Sequence, residues 1–296
     1  MKKALSISFF KSSSKMLHMG KQSTVIQLTN GDVLKIFNPD FLDFLAKEGV
    51  SFENKILDSQ RANTIPEIVK PKVITYGLDG QFEGYTMGEV KGMTLADYVI
   101  RNLSKPEVNL EEIATIYKKI EDAVKQDENI IFPDLCTLAN TYILENGDIR
   151  FIDFDGIQID KHRSPSLSSG LGTRDFIDQN ILWNPKYTEK DGRYKKNLDK
   201  RSLAFIYFLM VFGVNLSTVG KYSEDLNRVI TINDIIYSAG ITDVEFVQKI
   251  LDLFYSKKDD QYLGDDVFRL ADKYKIETVP LEGVKEKKST KILVRK

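Results

Sequence analysis

The sequence predicts an α+β protein whose N-terminal part is rich in strands and whose C-terminal part is mainly helical. Asn30-Gly31 and Asn146-Gly147 each stand between short apolar runs, and Asn-Gly is the dipeptide most typical of a tight hairpin turn. Apolar residues recur every three to four positions from Leu110 to Val124, which indicates a helix with one buried face. The apolar run at 203–214 predicts a second helix, buried on all sides.

Composition narrows the class of protein. The chain has 296 residues, of which 42% are apolar and 29% charged, and this is typical of a globular protein with a full core. The formal net charge of −1 argues against a surface made for nucleic acid, so we expect no nucleic-acid partner. Cys136 is the only cysteine, so no intrachain disulfide forms. His18 and His162 lie far apart, which argues against a zinc site or a Ser-His triad.

The N-terminal part is predicted to alternate between strands and one helical region. A helix is predicted at 40–61, with an interruption at Gly49. Four strands are predicted, at residues 25–28, 33–37, 68–76 and 82–87.

The C-terminal part contains one hairpin among helices. Its strands are predicted at 142–144 and 149–152. Residues 157–197 are polar and weakly periodic, which predicts a long functional loop. Further helices are predicted at 199–214, 243–254 and 265–274.

We expect a division into residues 1–88, residues 89–280 and a basic tail at 281–296. The longest apolar run is too short to span a bilayer, and Ser6, Ser8 and Lys11 interrupt the apolar N-terminus. We therefore expect no membrane span, no signal peptide and a cytoplasmic location.

Polar residues surround the predicted hairpin at 142–152. Asp134 and Asn140 precede it, and Asp153 follows it directly. Such a group can place a reacting hydroxyl beside a metal-bound polyphosphate. Upstream, Lys35 lies in a predicted strand and Glu53 on a predicted helix.

Taken in order, these motifs resemble the protein-kinase-like superfamily, in a divergent form of bacterial or phage type. The resemblance runs from about Leu17 to about Leu216. It implies a two-lobed fold, with a small β-rich N-lobe carrying one key helix and a larger, mainly helical C-lobe. It also implies that ATP binds between the lobes together with Mg²⁺ or Mn²⁺.

The resemblance assigns nucleotide-binding residues. Lys35 resembles the strand lysine that contacts the α and β phosphates, and Glu53 is the candidate helix glutamate that holds it, with Glu48 as the alternative. Met87 resembles the gatekeeper before a hinge whose backbone binds adenine. The remaining assigned positions are Gly20, Ser23 and Val25 in a reduced glycine-rich loop, and Glu89 and Val90 in the hinge.

The resemblance also assigns the reacting groups. Asp134 corresponds to the aspartate that orients the acceptor hydroxyl and accepts its proton. Asn140 and Asp153 correspond to the metal ligands. Asp155 is either a second metal contact or a solvent-facing loop acid. Asp199 corresponds to an aspartate that braces the catalytic loop, and it also suits the first turn of a helix.

The activity implied is transfer of the ATP γ-phosphate to a hydroxyl of a protein, at serine or threonine. A small-molecule acceptor is the first alternative. The second is a pseudokinase that binds nucleotide as a scaffold or regulator, because only Gly20 remains of the glycine-rich loop and one extra residue separates Asp134 from Asn140.

Overall fold

The computed structural model shows a mixed α+β fold, as the sequence predicted. It describes residues 3–4, 15–20, 22–59, 65–103, 105, 107–162, 185, 187–212, 222–223, 228–229, 231, 243–254, 261–274 and 276–277. The predicted basic tail at 281–296 and the serine-rich part of the loop at 157–197 lie outside these residues.

A six-stranded sheet dominates the N-terminal part. Its spatial order is β1-β5-β6-β4-β3-β2, and every neighbouring pair is antiparallel except β1 with β5. The strands are β1 (Lys3–Ala4), β2 (Lys15–Met19), β3 (Ser23–Gln27), β4 (Asp32–Phe37), β5 (Pro71–Tyr76) and β6 (Phe82–Gly88). Gly31 turns between β3 and β4 with φ +82°, a conformation that glycine adopts without strain.

Two short helices lie between β4 and β5. They are α1 (Pro39–Lys47) and α2 (Phe52–Ser59). Pro39 suits the first turn of α1 because its missing N–H needs no partner there. Gly49 ends α1 in the left-handed region, and the Val50 N–H donates to the Leu45 carbonyl at 2.8 Å in a Schellman motif. The predicted interruption at Gly49 is therefore confirmed.

The remaining elements are short strands and longer helices. The strands are β7 (Met93–Thr94), β8 (Glu107–Val108), β9 (Ile130–Ile131), β10 (Thr141–Ile143), β11 (Ile149–Phe151), β12 (Gln158–Ile159), β13 (Tyr222–Ser223), β14 (Arg228–Val229) and β15 (Ile276–Glu277). The helices are α3 (Leu95–Leu103), α4 (Leu110–Lys125), α5 (Asn197–Phe212), α6 (Val244–Phe254) and α7 (Asp266–Lys273).

Helices α4 and α5 form the centre of the C-terminal part. Asn109 caps α4 by accepting from the Glu112 N–H at 3.0 Å. Tyr117 of α4 packs edge-on against Tyr207 of α5, with ring centroids 5.0 Å apart. Buried residues of both halves of the chain join in one hydrophobic cluster that runs from β4 to α7. The hairpin β10–β11 lies against this core through Ile149 and Phe151.

Within the described residues, the predicted helices and strands are confirmed with small shifts of their ends, but β12 lies inside the region 157–197 that was predicted as a loop. The strand predicted from residue 68 begins at Pro71, and the helix predicted from residue 199 begins at Asn197. The two-lobed arrangement and the boundary near residue 88 stay predictions. Among the described helices, none has the length and apolar character needed to cross a membrane.

Candidate functional site

The loop before the hairpin is compact. Two consecutive turns form it, because the Thr137 N–H donates to the Asp134 carbonyl at 2.8 Å and the Asn140 N–H donates to the Thr137 carbonyl at 2.8 Å. The Asn140 carbonyl then accepts from the Ile152 N–H at 2.9 Å. The residue after Ile152 is Asp153, so these bonds tie the loop to the end of the hairpin.

Asp153 follows β11 with an unusual backbone. Its φ of 66° and ψ of 50° are left-handed, a region that costs a non-glycine residue free energy. A single 3₁₀ turn, Phe154–Gly156, follows at once. Left-handed non-glycine residues are concentrated at functional sites, so this conformation marks Asp153 as a candidate.

Three predicted site residues meet at one crevice. Asp134, Asn140 and Asp153 all line a cavity of about 20 Å³, to which the hairpin strands contribute Thr141 and Phe151. The structure thus brings together the residues predicted to orient the acceptor and to hold the metal.

Lys35 reaches this site from the sheet. Its side chain lies on the same face as Val25 of β3 and Tyr85 of β6, which are its direct cross-strand neighbours. It is only 7% exposed. Its Nζ forms ion pairs with Asp153 and, at 2.7 Å, with Asp155. Lys35 therefore forms one charged group with two aspartates that lie 118 and 120 positions later in the sequence.

The charged side chains in this group shift one another's pKa values. Burial opposes the charge on Lys35, but Asp153 and Asp155 outweigh it and raise the lysine pKa. Burial and the neighbouring Asp155 raise the pKa of Asp153. Burial would also raise the pKa of Asp155, but Lys35 and the hydrogen bond from Tyr85 lower it. Asp155 is the carboxylate that the surrounding donors hold ionised.

The predicted pairing of Lys35 with Glu53 is wrong for this structure. Glu53 accepts a hydrogen bond from the Tyr76 hydroxyl at 2.5 Å, and burial and this contact raise the tyrosine pKa to about 12. Glu53 lines a separate groove of about 1080 Å³, next to α1 and β3, which includes neither Lys35 nor Asp153. Within the part of the chain described here, the ion pairs of Lys35 are with Asp153 and Asp155. The alternative, Glu48, is exposed just after α1.

Packing explains why Glu53 points elsewhere. The buried face of α2 contains Phe52, Lys55 and Ile56, spaced i, i+3 and i+4. The Phe52 ring lies 4.9 Å from that of Phe37 in β4, which orients the helix. Glu53 is rotated away from this face by about 100°.

Lys55 is a site residue that the sequence analysis missed. It is 1% exposed, and its Nζ donates to the backbone carbonyls of Ile157 and, at 2.7 Å, of Asp155. Burial lowers the pKa of Lys55 to about 7, even though Asp155 and Asp153 oppose this shift. The sequence feature that could have identified Lys55 is its place on the same helix face as the apolar residues Phe52 and Ile56.

Asp155 is not a solvent-facing acid, so that alternative is wrong. It is 3% exposed, and its Oδ1 accepts from Lys35 Nζ and from the Tyr85 hydroxyl, both at 2.7 Å. The other alternative, a second metal contact, stays a prediction.

The predicted nucleotide-binding residues lie along the sheet. Gly20 begins the turn into β3, where its N–H donates to the Ser23 carbonyl at 2.9 Å. Met87 is buried in β6 opposite Val33. Beyond β6, Glu89 accepts from Gln27 Nε2 at 2.8 Å, and Val90 follows it. Their role in binding adenine stays a prediction.

A second buried pair, Lys196 and Asp199, holds the start of the loop through Phe132. Asp199 in the first turn of α5 accepts from the Phe132 N–H at 2.8 Å, so the predicted contact with the loop is confirmed. Burial raises the pKa of Asp199 to about 6. Lys196 lies 3.2 Å from Asp199, and sequence analysis missed it. Its Nζ also donates to three backbone carbonyls, those of Val124, Asp127 and Ile130.

The oxygen donors present suit a hard cation such as Mg²⁺, which prefers one or two carboxylates together with phosphate oxygens. Asp153 and Asn140 line the same crevice and supply a carboxylate and an amide. In the described residues, no cluster of three or more His, Cys, Asp and Glu side chains is arranged to hold a metal.

No protein-family model matches the chain, and no curated protein is significantly similar to it.

Proposed function

We propose that this protein is an ATP- and Mg²⁺-dependent phosphotransferase that transfers the γ-phosphate to a serine or threonine hydroxyl of a protein. One observation carries the proposal. Lys35 of the sheet pairs with Asp153 at the end of the hairpin, although the two residues are 118 positions apart in the sequence. This pair lies beside a crevice lined by Asp134 and Asn140. Positioning and charge neutralisation are the main requirements of phosphoryl transfer, and these groups can supply both.

Each residue has a chemical role in the proposal. Lys35 pairs with phosphate oxygens of the nucleotide. Asp153 and Asn140 hold the cation, which when bound neutralises charge on the phosphates. Asp134 orients the acceptor hydroxyl and takes its proton. The acceptor oxygen forms a bond to the γ-phosphorus, the bond from that phosphorus to the β–γ bridging oxygen breaks, and ADP leaves with the electron pair.

A second candidate is a nucleotide-binding protein without transfer activity. The observation that favours it is the ion pair between Lys35 and Asp153, which engages the carboxylate predicted to hold the metal. Nucleotide binding that leaves this pair in place would not assemble the metal site. A small-molecule acceptor for the first candidate differs only in the substrate and is separated by assay.

The test measures binding and transfer separately. Wild-type protein, Asp134→Asn and Asp153→Asn are incubated with γ-labelled ATP, MgCl₂ and generic protein acceptors, while ATP affinity is measured by calorimetry. Because a general base contributes about 10²–10⁴-fold, we expect Asp134→Asn to lose transfer by that factor and to keep ATP affinity. Asp153→Asn should lose transfer and the part of the affinity that depends on Mg²⁺.

Asp148→Asn is the matched control. Asp148 belongs to the same hairpin, but its side chain is 48% exposed and pairs with Lys119 at 3.3 Å. We expect its transfer rate to equal that of the wild type. Binding of ATP without transfer to any acceptor would favour the second candidate, and absence of ATP binding would exclude both.

A further inference from the structure

The charged group around Lys35 contains two lysines and two aspartates. Lys35 and Lys55 are 7% and 1% exposed, and Asp155 is 3% exposed. The side chain of Asp153 is 26% exposed. Isolated buried charges are strongly unfavourable, so each lysine here depends on the acids and carbonyl groups around it.

The two aspartates differ in where their carboxylates lie. Asp153 lines the crevice with Asp134 and Asn140 and keeps contact with solvent. Asp155 is enclosed, and its Oδ1 receives Lys35 and the Tyr85 hydroxyl. Asp153 is therefore the acid that solvent and a ligand can reach, whereas Asp155 is enclosed with Lys35.

Helix α2 presents the buried Lys55 amine to the loop. Lys55 Nζ donates to the carbonyl of Asp155, the middle residue of the 3₁₀ turn, and to that of Ile157, which follows the turn. An amine that donates to two carbonyl oxygens fixes the backbone of this turn against the helix. The position of Asp155 therefore depends on Lys55.

We infer that Asp155 is the positioning residue for Lys35 and that Lys55 ties the turn carrying Asp155 to helix α2. The helix acid Glu53 instead accepts a hydrogen bond from Tyr76 and lines a different groove. The inference rests on the proposed function in one respect, which is that the ligand held by Lys35 is a nucleotide phosphate.

The first experiment separates a positioning residue from a metal ligand. ATP affinity is measured by calorimetry in EDTA and in excess MgCl₂ for the wild type, Asp155→Asn and Asp153→Asn. A residue that acts through Lys35 affects both conditions alike, so Asp155→Asn should weaken ATP binding by about tenfold in each, the scale of one lost charged hydrogen bond. Asp153→Asn should weaken binding in MgCl₂ but not in EDTA, where loss of its ion pair leaves Lys35 free for phosphate. Loss confined to MgCl₂ in Asp155→Asn would overturn the inference and make Asp155 a metal ligand.

Variants of helix α2 test the second part of the inference, which is that Lys55 ties the turn carrying Asp155 to the helix. Lys55→Met should weaken ATP binding in both conditions, and Lys55→Arg should restore most of it because a guanidinium also donates to carbonyls. Glu53→Gln should leave ATP affinity within about twofold of the wild type, because Glu53 contacts Tyr76 beside a different groove. A larger effect from Glu53→Gln than from Asp155→Asn would overturn the inference. If Asp155→Asn fails to fold, Tyr85→Phe removes only one donor to the same Oδ1 and should weaken ATP binding equally in both conditions.

A second measurement needs no nucleotide. Unfolding in urea is followed for Lys35→Met, Asp155→Asn and the double variant, and the same cycle is run with Glu53→Gln. Residues in direct contact are non-additive, so the Lys35–Asp155 cycle should deviate by about tenfold in the unfolding constant while the Lys35–Glu53 cycle stays additive. If the wild type binds no ATP, the proposed function fails, yet this cycle still decides whether Asp155 holds Lys35.

Discussion

Two lysine–aspartate groups lie close to the loop at 132–140, and they are built differently. In the first, which we call the lower group, Lys196 and Asp199 are three positions apart, and their other described contacts are to backbone carbonyls and a backbone N–H. In the second, which we call the upper group, Lys35 pairs with aspartates 118 and 120 positions away, and one of them lines the crevice. The lower group is satisfied by the chain itself, so it holds the loop in place. The upper group includes a carboxylate that a ligand can reach, so it is suited to change partners.

The lower group should contribute more than the upper group to the free energy of unfolding. Lys196→Met removes the donor to three carbonyls and the partner of a buried aspartate. Breaking a buried pair from one side costs about 3–5 kcal/mol, and we expect a decrease of that size in the free energy of unfolding, measured in urea.

Lys195→Met is the control for this change. Lys195 is the preceding residue, its Nζ donates to the Pro185 carbonyl, and this contact is exposed. Its loss should change stability by no more than about 0.5 kcal/mol. Similar effects of the two variants would show that the lower group is no more important than the surface.

The acid of the lower group should make stability depend on pH. The pKa of Asp199 is about 6 in the folded protein against an ordinary 3.8, so between these values the folded state binds a proton that the unfolded state has released. This contribution favours folding below about pH 4 and is lost as the pH rises through 6. A shift of this size corresponds to about 3 kcal/mol.

Asp199→Asn should remove this pH dependence. The amide oxygen can still accept from the Phe132 N–H, while the titrating group is gone. Urea unfolding at pH 4, 5, 6 and 7 should show a decline with pH that is steeper in the wild type than in the variant. Parallel curves would mean that Asp199 titrates normally.

The upper group should be sensitive to the spacing of two strands. Gly84 of β6 lies opposite Ile36 of β4, and a Cβ at this position would lie 2.0 Å from the backbone oxygen of Lys35. Gly84→Ala must therefore displace the strand that carries Lys35. Overpacking of this kind costs about 1–3 kcal/mol, and urea unfolding should show it.

Gly88→Ala in the same strand is the matched control. Its Cβ would meet only the flexible end of Lys72, at 3.6 Å, which is an ordinary contact. Its stability should stay within about 0.5 kcal/mol of the wild type. Equal losses in the two variants would show that glycine matters in β6 for a reason other than the approach of Lys35.

Local patterns predicted several helices and strands, whereas short strands such as β9 and β12 were missed. The two Asn-Gly turns, the interruption at Gly49 and the stripe from Leu110 to Val124 depend on neighbouring residues, so they could be read from the sequence. The ends of strands shifted by a few residues because pairing with another strand decides where a strand begins.

The residues of the candidate site could be predicted where the order of motifs along the sequence was enough to identify them. The resemblance singled out Lys35, Asp134, Asn140 and Asp153, and these residues do lie together at the crevice and the ion pair beside it. The contact of Asp199 with the loop was also predicted.

The sequence by itself determined the elements and the polar residues available to the site, whereas tertiary structure alone decided which charges meet. Packing of Phe52 against Phe37 sets the rotation of α2, and this rotation turns Lys55 inward and Glu53 away. Asp155 reaches Lys35 because elements that are distant in the chain pack together. Periodicity describes each helix or strand in isolation, but an ion pair depends on the relative position of two of them, and this is set by the packing of the whole core.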